Sequence, residues 1–324
     1  MGEPVLSVQD LVVEIPTRHA VLRPVDGVSF DIAAGEILGV VGESGAGKSM
    51  TGKAVIGLLD PPAHIASGRI ILNGRRIDNL PRESLRRVRG KEIGMIFQDP
   101  LTSLNPLIPI GDQLTETILE HLPVSKSEAE AQALAALDEV GIPAATSRIH
   151  AYPHQFSGGM RQRVVIALAL CANPSLVIAD EPTTALDVSI QAQIIALLKR
   201  LCRERGTAIM LITHDMGVIA ETADRVAVMY AGRQAELGPV RQTLTTPTHP
   251  YTVGLMGATP LAAAGHKRLN QIPGNMPRLE SMPDGCAFHP RCPGAQDKCR
   301  TDPAPTLADG GGRAACWYPV ETAP

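Results

Sequence analysis

The sequence predicts an α/β fold in which helices cover both faces of a mostly parallel sheet. Short apolar runs rich in β-branched residues have the length of buried strands: "EILGVVG" (36–42), "SLVIAD" (175–180), "TAIMLITH" (207–214) and "RVAVMY" (225–230). Longer segments with helical spacing of apolar residues lie between them. Strands that alternate with helices usually pair in parallel, because the connecting helices pack on the faces of the sheet.

Two of these helices show clear end signals. Ser127 and Glu130 form a capping-box pattern, which predicts a helix start there, and Gly141 predicts its end. The segment "SIQAQIIALLKRLCRERG" places its aliphatic residues on one face and ends at Gly206.

Composition limits the classes of protein to consider. The 324 residues are 44% hydrophobic and 19% charged, as in soluble globular proteins. The net charge of −3 provides no general attraction for nucleic acid. The longest apolar stretch, "VVIALALCA", is too short to span a membrane, and the first residues lack a secretory signal pattern. We therefore expect a cytoplasmic protein with reduced thiols.

A change in composition near residue 240 predicts two domains, 1–240 and 241–324. The last 84 residues carry 12 of the 27 prolines, and the alternation of strands and helices stops. A loop-rich segment of this size has a small core, so we expect it to need a staple.

A glycine-rich loop, "GESGAGKS" (42–49), directly follows the first of these strands and precedes a helical segment. This is the phosphate-loop pattern in its required context. Its backbone N–H groups surround phosphate oxygens, Lys48 contacts the β- and γ-phosphates, and the Ser49 hydroxyl binds Mg²⁺. The predicted ATP contacts are Gly42, Ser44, Gly45, Gly47, Lys48, Ser49 and Met50.

Two acids end a later strand, in "LVIADEP". Asp180 is predicted to bind Mg²⁺ and Glu181 to polarise the attacking water, since ligands bind at the carboxyl ends of such strands. Taken alone, the pair also fits a strand that enters a polar turn. Upstream, "FSGGMRQR" places Ser157, Gly158 and Gly159 at the start of a helix. Such a helix start can bind a phosphate, but a glycine turn with a serine cap explains the pattern equally well.

In this order, the motifs resemble the ATP-binding subunits of ABC transporters over residues 5–240. The resemblance implies a P-loop NTPase (RecA-like) core with antiparallel β and helical subdomains, followed here by a cysteine-containing extension. It also implies that Gln98 contacts Mg²⁺ and the attacking water, that "ALD" (185–187) forms a D-loop, and that His214 contacts the γ-phosphate. Two such domains pair head to tail, so that the signature "SGG" of one meets the ATP of the other. The family's adenine-stacking aromatic is replaced by His19, which is equally well interpreted as an exposed loop residue.

Further motifs, "FQDPLTSLNP" (97–106), "YPHQFSGGM" and "PTHPYT" (247–252), resemble the oligopeptide/dipeptide (and nickel) importer branch and its D-type ATPase subunits. The resemblance implies a second, paralogous ATPase subunit, two transmembrane permeases and an extracytoplasmic substrate-binding protein. It places the chain peripherally at the cytoplasmic face of the membrane. The cargo, whether dipeptide, longer peptide, nickel or another solute, is left open.

The segment "GCAFHPRCPGAQDKCR" together with "CW" concentrates Cys286, Cys292, Cys299 and Cys316 at spacings C-x5-C-x6-C-x16-C. Four thiolates can hold a zinc ion or an iron–sulfur cluster. The spacing is wide for zinc, and the branch can carry a 4Fe–4S cluster, so we expect such a cluster, with Zn²⁺ or free thiols as alternatives.

Two other classes of function compete with the importer. A soluble ABC-type ATPase acting on nucleic acid or the ribosome would usually carry coiled-coil insertions or a second ATPase domain, and neither is seen in the sequence. An iron–sulfur electron carrier leaves the ATPase motifs unexplained.

Overall fold

The computed structural model describes residues 3–184, 186–259, 271–307 and 313–320. Its strands are β1 (Leu6–Pro16), β2 (Val21–Ile32), β3 (Ile37–Val41), β4 (His64–Leu72), β5 (Arg75–Arg76), β6 (Ile93–Ile96), β7 (Leu176–Asp180), β8 (Ala208–Ile212), β9 (Arg225–Tyr230) and β10 (Arg233–Pro239). Its helices are α1 (Lys48–Ile56), α2 (Arg82–Val88), α3 (Pro100–Ser103), α4 (Ile110–His121), α5 (Lys126–Glu139), α6 (Ala145–Arg148), α7 (Gly158–Leu170), α8 (Val188–Arg205), α9 (Met216–Thr222), α10 (Val240–Thr245), α11 (Pro250–Gly257) and α12 (Asp297–Thr301).

The chain divides into two compact units. The first unit comprises Met1–Val5, Ala33–Glu36 and Asn79–Leu211, and the second comprises Leu6–Ile32, Ile37–Asp78 and Ile212–Pro324. The predicted division at residue 240 is a different kind of boundary and stays a prediction.

The second unit contains an antiparallel sheet in the order β2–β1–β4–β5. Strand β1 begins with three buried residues, Leu6 to Val8, and then has a bulge, where Asp10 adopts a φ of 45°. Gly68 on β4 faces this bulge, and a Cβ there would lie 2.6 Å from Asp10 O. A glycine is therefore required where the two backbones approach so closely.

The second unit also contains the strand β3, whose five residues are all buried. It pairs in parallel with β9, and β9 pairs antiparallel with β10. A strand buried on both faces reads as a continuous apolar run, which explains why "ILGVV" was recognisable in the sequence.

In the first unit, β6 pairs in parallel with the fully buried β7. Helix α5 begins with a capping box, but its members are Ser125 and Glu128, two residues before the predicted pair. The prediction of Ser127 as the cap was wrong because "SKSEAE" offers the same Ser-x-x-Glu pattern twice. Helix α8 ends at Gly206 with a left-handed φ of 69°, as predicted.

The predicted combination of parallel and antiparallel sheets with helices is thus confirmed, and the four strands recognised in the sequence are β3, β7, β8 and β9. Beyond residue 240, the residues that the structure describes form short helices and turns. Within the described ranges, no helix combines the length and apolar character needed to cross a membrane.

Candidate active site

The glycine-rich loop of the second unit has a backbone that only glycine accommodates at two positions. Gly42 and Gly47 have φ values of 149° and 100°. A Cβ at Gly42 would lie 2.2 Å from Met229 O, and one at Gly47 would lie 2.3 Å from Pro24 O. These close approaches hold the loop against the neighbouring strands and fix its path.

Lys48 lies inside this loop and is only 6% exposed. Its Nζ donates hydrogen bonds to Gly42 O at 2.9 Å and to Glu43 O at 3.0 Å. The loop therefore encloses a positive charge before any ligand is present, which suits an anionic ligand such as a triphosphate.

The loop passes directly into α1. Gly47 is the N-cap of this helix and has no side chain that could accept its first N–H groups. Ser49 is exposed in the first turn, next to Met50, and Ser44 and Gly45 are exposed in the loop. The residues present therefore fit a nucleotide phosphate chain with its Mg²⁺ at this helix start.

Two histidines predicted to contact ATP also belong to the second unit. His214 follows β8 and has an exposed side chain. His19 lies in the turn between β1 and β2, where its N–H donates to Thr17 Oγ1 at 3.3 Å. The stacking of His19 on adenine stays a prediction.

The first unit brings together the predicted acidic and amide groups. Asp180 is the buried last residue of β7, 8% exposed. Glu181 follows with a φ of 47°, a strained conformation for a residue with a side chain. Gln98 Nε2 and Thr184 Oγ1 each donate to Glu181 Oε2 at 2.9 Å. The backbone strain and the two donors together aim this carboxylate, as a catalytic base requires.

The signature segment forms the start of α7, also in the first unit. Ser157 is the N-cap, and its side chain accepts a hydrogen bond from Met160 N at 3.4 Å. A Cβ at Gly159 would lie 2.7 Å from Ile190 Cγ2, so α8 leaves room for glycine only. Gly158 precedes it at the helix start. Of the predicted D-loop (185–187), Ala185 lies outside the described residues, and Asp187 is the N-cap of α8.

The predicted iron–sulfur cluster was wrong, and the alternative zinc site has no support. Among the described residues, which include all four cysteines of the segment, no group of three or more Cys, His, Asp or Glu side chains is arranged to hold a metal ion. The four cysteines are free thiols.

Their surroundings give a physical reason. Burial raises the pKa of the Cys286 and Cys292 thiols, and it raises the pKa of Cys316 to about 11. At ordinary pH these thiols are therefore neutral, so they share one segment without the mutual repulsion of thiolates. The backbone links the segment instead, since Cys286 N donates to Cys299 O at 2.8 Å.

The sequence reasoning missed residues that contact the phosphate loop. Glu43 lies within "GESGAGKS", and both Tyr251 and Arg291 from the last quarter of the chain bond to it. The sequence did contain a signal for this contact: Glu43 is an acid inside an anion-binding loop, and such a charge needs a cation nearby.

The comparisons with known proteins find relatives along almost the whole chain. Residues 25–184 match the ABC transporter family, and residues 235–299 match the oligopeptide/dipeptide transporter C-terminal region. The chain is 49% identical over 316 residues, 98% of its length and 94% of the relative, to the oligopeptide transport ATP-binding protein OppD of Salmonella typhimurium. It is 48% identical over 317 residues, 97% of its length and 95% of the relative, to the dipeptide transport ATP-binding protein DppD of Bacillus subtilis.

A solved structure supports the fold. The dimeric ATP-binding cassette MJ0796, in a post-hydrolysis state bound to ADP and Pi, is 26% identical with a TM-score of 0.65. The match covers 73% of this chain and 99% of that cassette. The chain therefore belongs to the ABC transporter family, among its oligopeptide and dipeptide transport ATP-binding proteins.

Proposed function

We propose that this chain is the ATP-hydrolysing subunit of an ABC importer that powers the uptake of di- and oligopeptides. The observation that carries the proposal is the near-50% identity to OppD and DppD over almost the whole length, including the C-terminal region. An ATPase is also the activity to which the phosphate loop and the aimed carboxylate are suited.

The residues divide the work of hydrolysis. Lys48 neutralises the β- and γ-phosphates, and Ser49, Asp180 and Gln98 would hold Mg²⁺, which would offset the charge of the phosphates. Glu181 accepts the proton of the attacking water, while Gln98 also orients that water. His214 contacts the γ-phosphate. The N–H groups of the glycine-rich loop and of Met50 surround the phosphates, and His19 stacks on the adenine.

The ATP is bound between two subunits. Ser157, Gly158 and Gly159 sit at the start of a thirteen-residue helix and present N–H groups to the γ-phosphate held by the second ATPase subunit. Removal of that phosphate by hydrolysis weakens the bridge, so the pair opens. We propose a paralogous subunit as this partner.

The region around Gln98 docks the permeases. Phe97 is 41% exposed and Leu107 is 83% exposed, which is unusual for large apolar side chains close together in sequence. A permease helix would cover them. The chain then works as a peripheral subunit at the cytoplasmic face of the membrane, with two permeases and an extracytoplasmic substrate-binding protein.

The base assignment is tested with Glu181→Gln. The variant keeps the shape of the side chain but cannot accept the proton, so ATP binding is retained while phosphate release falls by about 10²–10⁴-fold. Glu116→Gln, an exposed residue on α4 of the same unit, is the matched control and hydrolyses ATP normally. Normal hydrolysis by Glu181→Gln would contradict the assignment.

The cargo is tested on the transporter assembled with its permeases and binding protein in lipid vesicles. Di- and oligopeptides should stimulate ATP hydrolysis and accumulate inside, and the Glu181→Gln transporter should do neither. Stimulation by Ni²⁺ and not by peptides would overturn the peptide assignment and favour the nickel alternative.

A further inference from the structure

The phosphate loop contains an acid that the ATPase mechanism does not use. Glu43 lies between Gly42 and Ser44, and its side chain is 30% exposed. A carboxylate next to the site of a triphosphate repels the ligand, and in a partly buried loop this repulsion is only weakly screened. An acid at this position therefore needs a compensating cation.

Arg291 supplies that charge from the C-terminal extension. Its Nη1 donates to Glu43 Oε1 at 3.0 Å and to Oε2 at 3.2 Å, and the side chain is only 6% exposed. Its Nε donates to Pro273 O at 2.9 Å, and Nη1 also lies 3.3 Å from Tyr230 Oη. The guanidinium is thus held by groups other than Glu43, so its position does not depend on the carboxylate alone.

Two more residues of the extension reach the same loop. The backbone N–H of Glu43 donates to Tyr251 Oη at 3.0 Å, and Tyr251 is fully buried. A Cβ at Gly45 would lie 3.1 Å from Met276 Cε, so Met276 lies against the exposed turn of the loop. The extension therefore contacts both the backbone and the charged side chain of the loop.

We propose that Arg291 is a positioning residue for nucleotide binding: by pairing with Glu43 it holds the phosphate loop in its binding conformation and cancels the negative charge beside the phosphates. The extension thereby becomes part of the ATPase site. The inference rests on the proposed nucleotide site, and a Lys48→Met variant tests that site separately, since it should lose ATP binding whatever Arg291 does.

The test measures binding of MgATP and MgADP to the full chain. Arg291→Met leaves the carboxylate uncompensated and should weaken ATP binding about tenfold, because charge-assisted hydrogen bonds are the stronger ones. The affinity for ADP should fall by a smaller factor, because ADP carries less negative charge. Arg300→Met, an exposed arginine of the same extension, is the matched control and should bind both nucleotides as the unmodified chain does.

A rescue separates positioning from a general loss of structure. Adding Glu43→Gln to Arg291→Met removes the unpaired carboxylate and should recover most of the lost ATP affinity. Higher salt should likewise narrow the difference between Arg291→Met and the unmodified chain. If Arg291→Met does not fold, Arg291→Lys keeps the charge but loses the Nε bond to Pro273 O that positions it, and should show an intermediate loss of affinity. Unchanged affinity in the single variants, or no recovery in the double variant, would overturn the proposal.

Discussion

Glu236 is the residue whose replacement should most clearly detach the C-terminal extension. It lies on β10, is completely buried, and points its carboxylate at the start of α11. Oε1 accepts hydrogen bonds from Thr248 N and Thr248 Oγ1, and Oε2 accepts one from His249 N, all at 3.0 Å. The carboxylate thus satisfies donors at the point where the chain enters the extension.

The magnitude follows from counting the donors left without an acceptor. Glu236→Ala removes the acceptor of the buried His249 N–H and of the half-buried Thr248 N–H and hydroxyl, at about 1–3 kcal/mol each. It also leaves a cavity, so the total loss should be at least about 4 kcal/mol. Glu236→Gln keeps the volume but places an amide NH₂ against a backbone donor, which should cost about 1–3 kcal/mol.

The assay combines urea unfolding of the full chain with hydrogen exchange. Both variants should lower the urea concentration at the unfolding midpoint, and the alanine variant should lower it further than the glutamine variant. The amides of α11 should be the first to lose protection from hydrogen exchange, because Glu236 no longer anchors that helix. Glu280→Gln, an exposed acid in the same extension, should leave the midpoint and the protection unchanged. The reasoning would be refuted if Glu236→Gln and Glu280→Gln unfolded at the same midpoint with equal protection of α11.

Three further changes have defined outcomes. Gly47→Ala should destabilise the chain by several kcal/mol, since φ is 100° and the new Cβ meets Pro24 O, whereas Gly206→Ala, with φ 69° and open space, should cost only about 1 kcal/mol in thermal unfolding. Burial lowers the pKa of His249 to about 4, below its usual 6.5. The unfolded chain therefore takes up the proton first, and stability present above pH 6.5 should fall by about 3 kcal/mol as the pH drops towards 4, a dependence that His249→Gln should remove. With a pKa of about 11, Cys316 should react with iodoacetamide at pH 8 about 100-fold more slowly in the folded chain than in urea, as followed by mass spectrometry.

The sequence was most informative where one local rule decides the structure. Strand β3 is buried along its whole length, so its apolar run is continuous and needs no partner to be recognised. Strand β1 is harder to recognise. Its first three residues are all buried, so it shows no simple alternation, and the register after the bulge at Asp10 depends on Gly68 of β4, far along the chain.

The same distinction applies to the site. The phosphate loop is a contiguous motif whose glycines are dictated by backbone geometry, so its residues could be named without a structure. The family resemblance placed Gln98 at the attacking water that Glu181 is predicted to polarise, but their hydrogen bond, 83 residues apart, and the pairing of Glu43 with Arg291, 248 residues apart, were not foreseen. No periodicity links such residues, because only tertiary packing brings them together.

The error at the cysteines came from treating the last quarter of the chain as a segment that must fold alone. A small proline-rich tail with little core would need a metal under that premise. The structure places the tail in the second unit with earlier strands, where Phe288 packs on Tyr230 of β9 with ring centroids 5.2 Å apart. Ala315 N donates to Ala235 O on β10, and the buried Glu236 anchors α11. The tail completes an existing core, so the packing and hydrogen bonds that it shares with β9 and β10 supply the stability that a metal would otherwise have to provide.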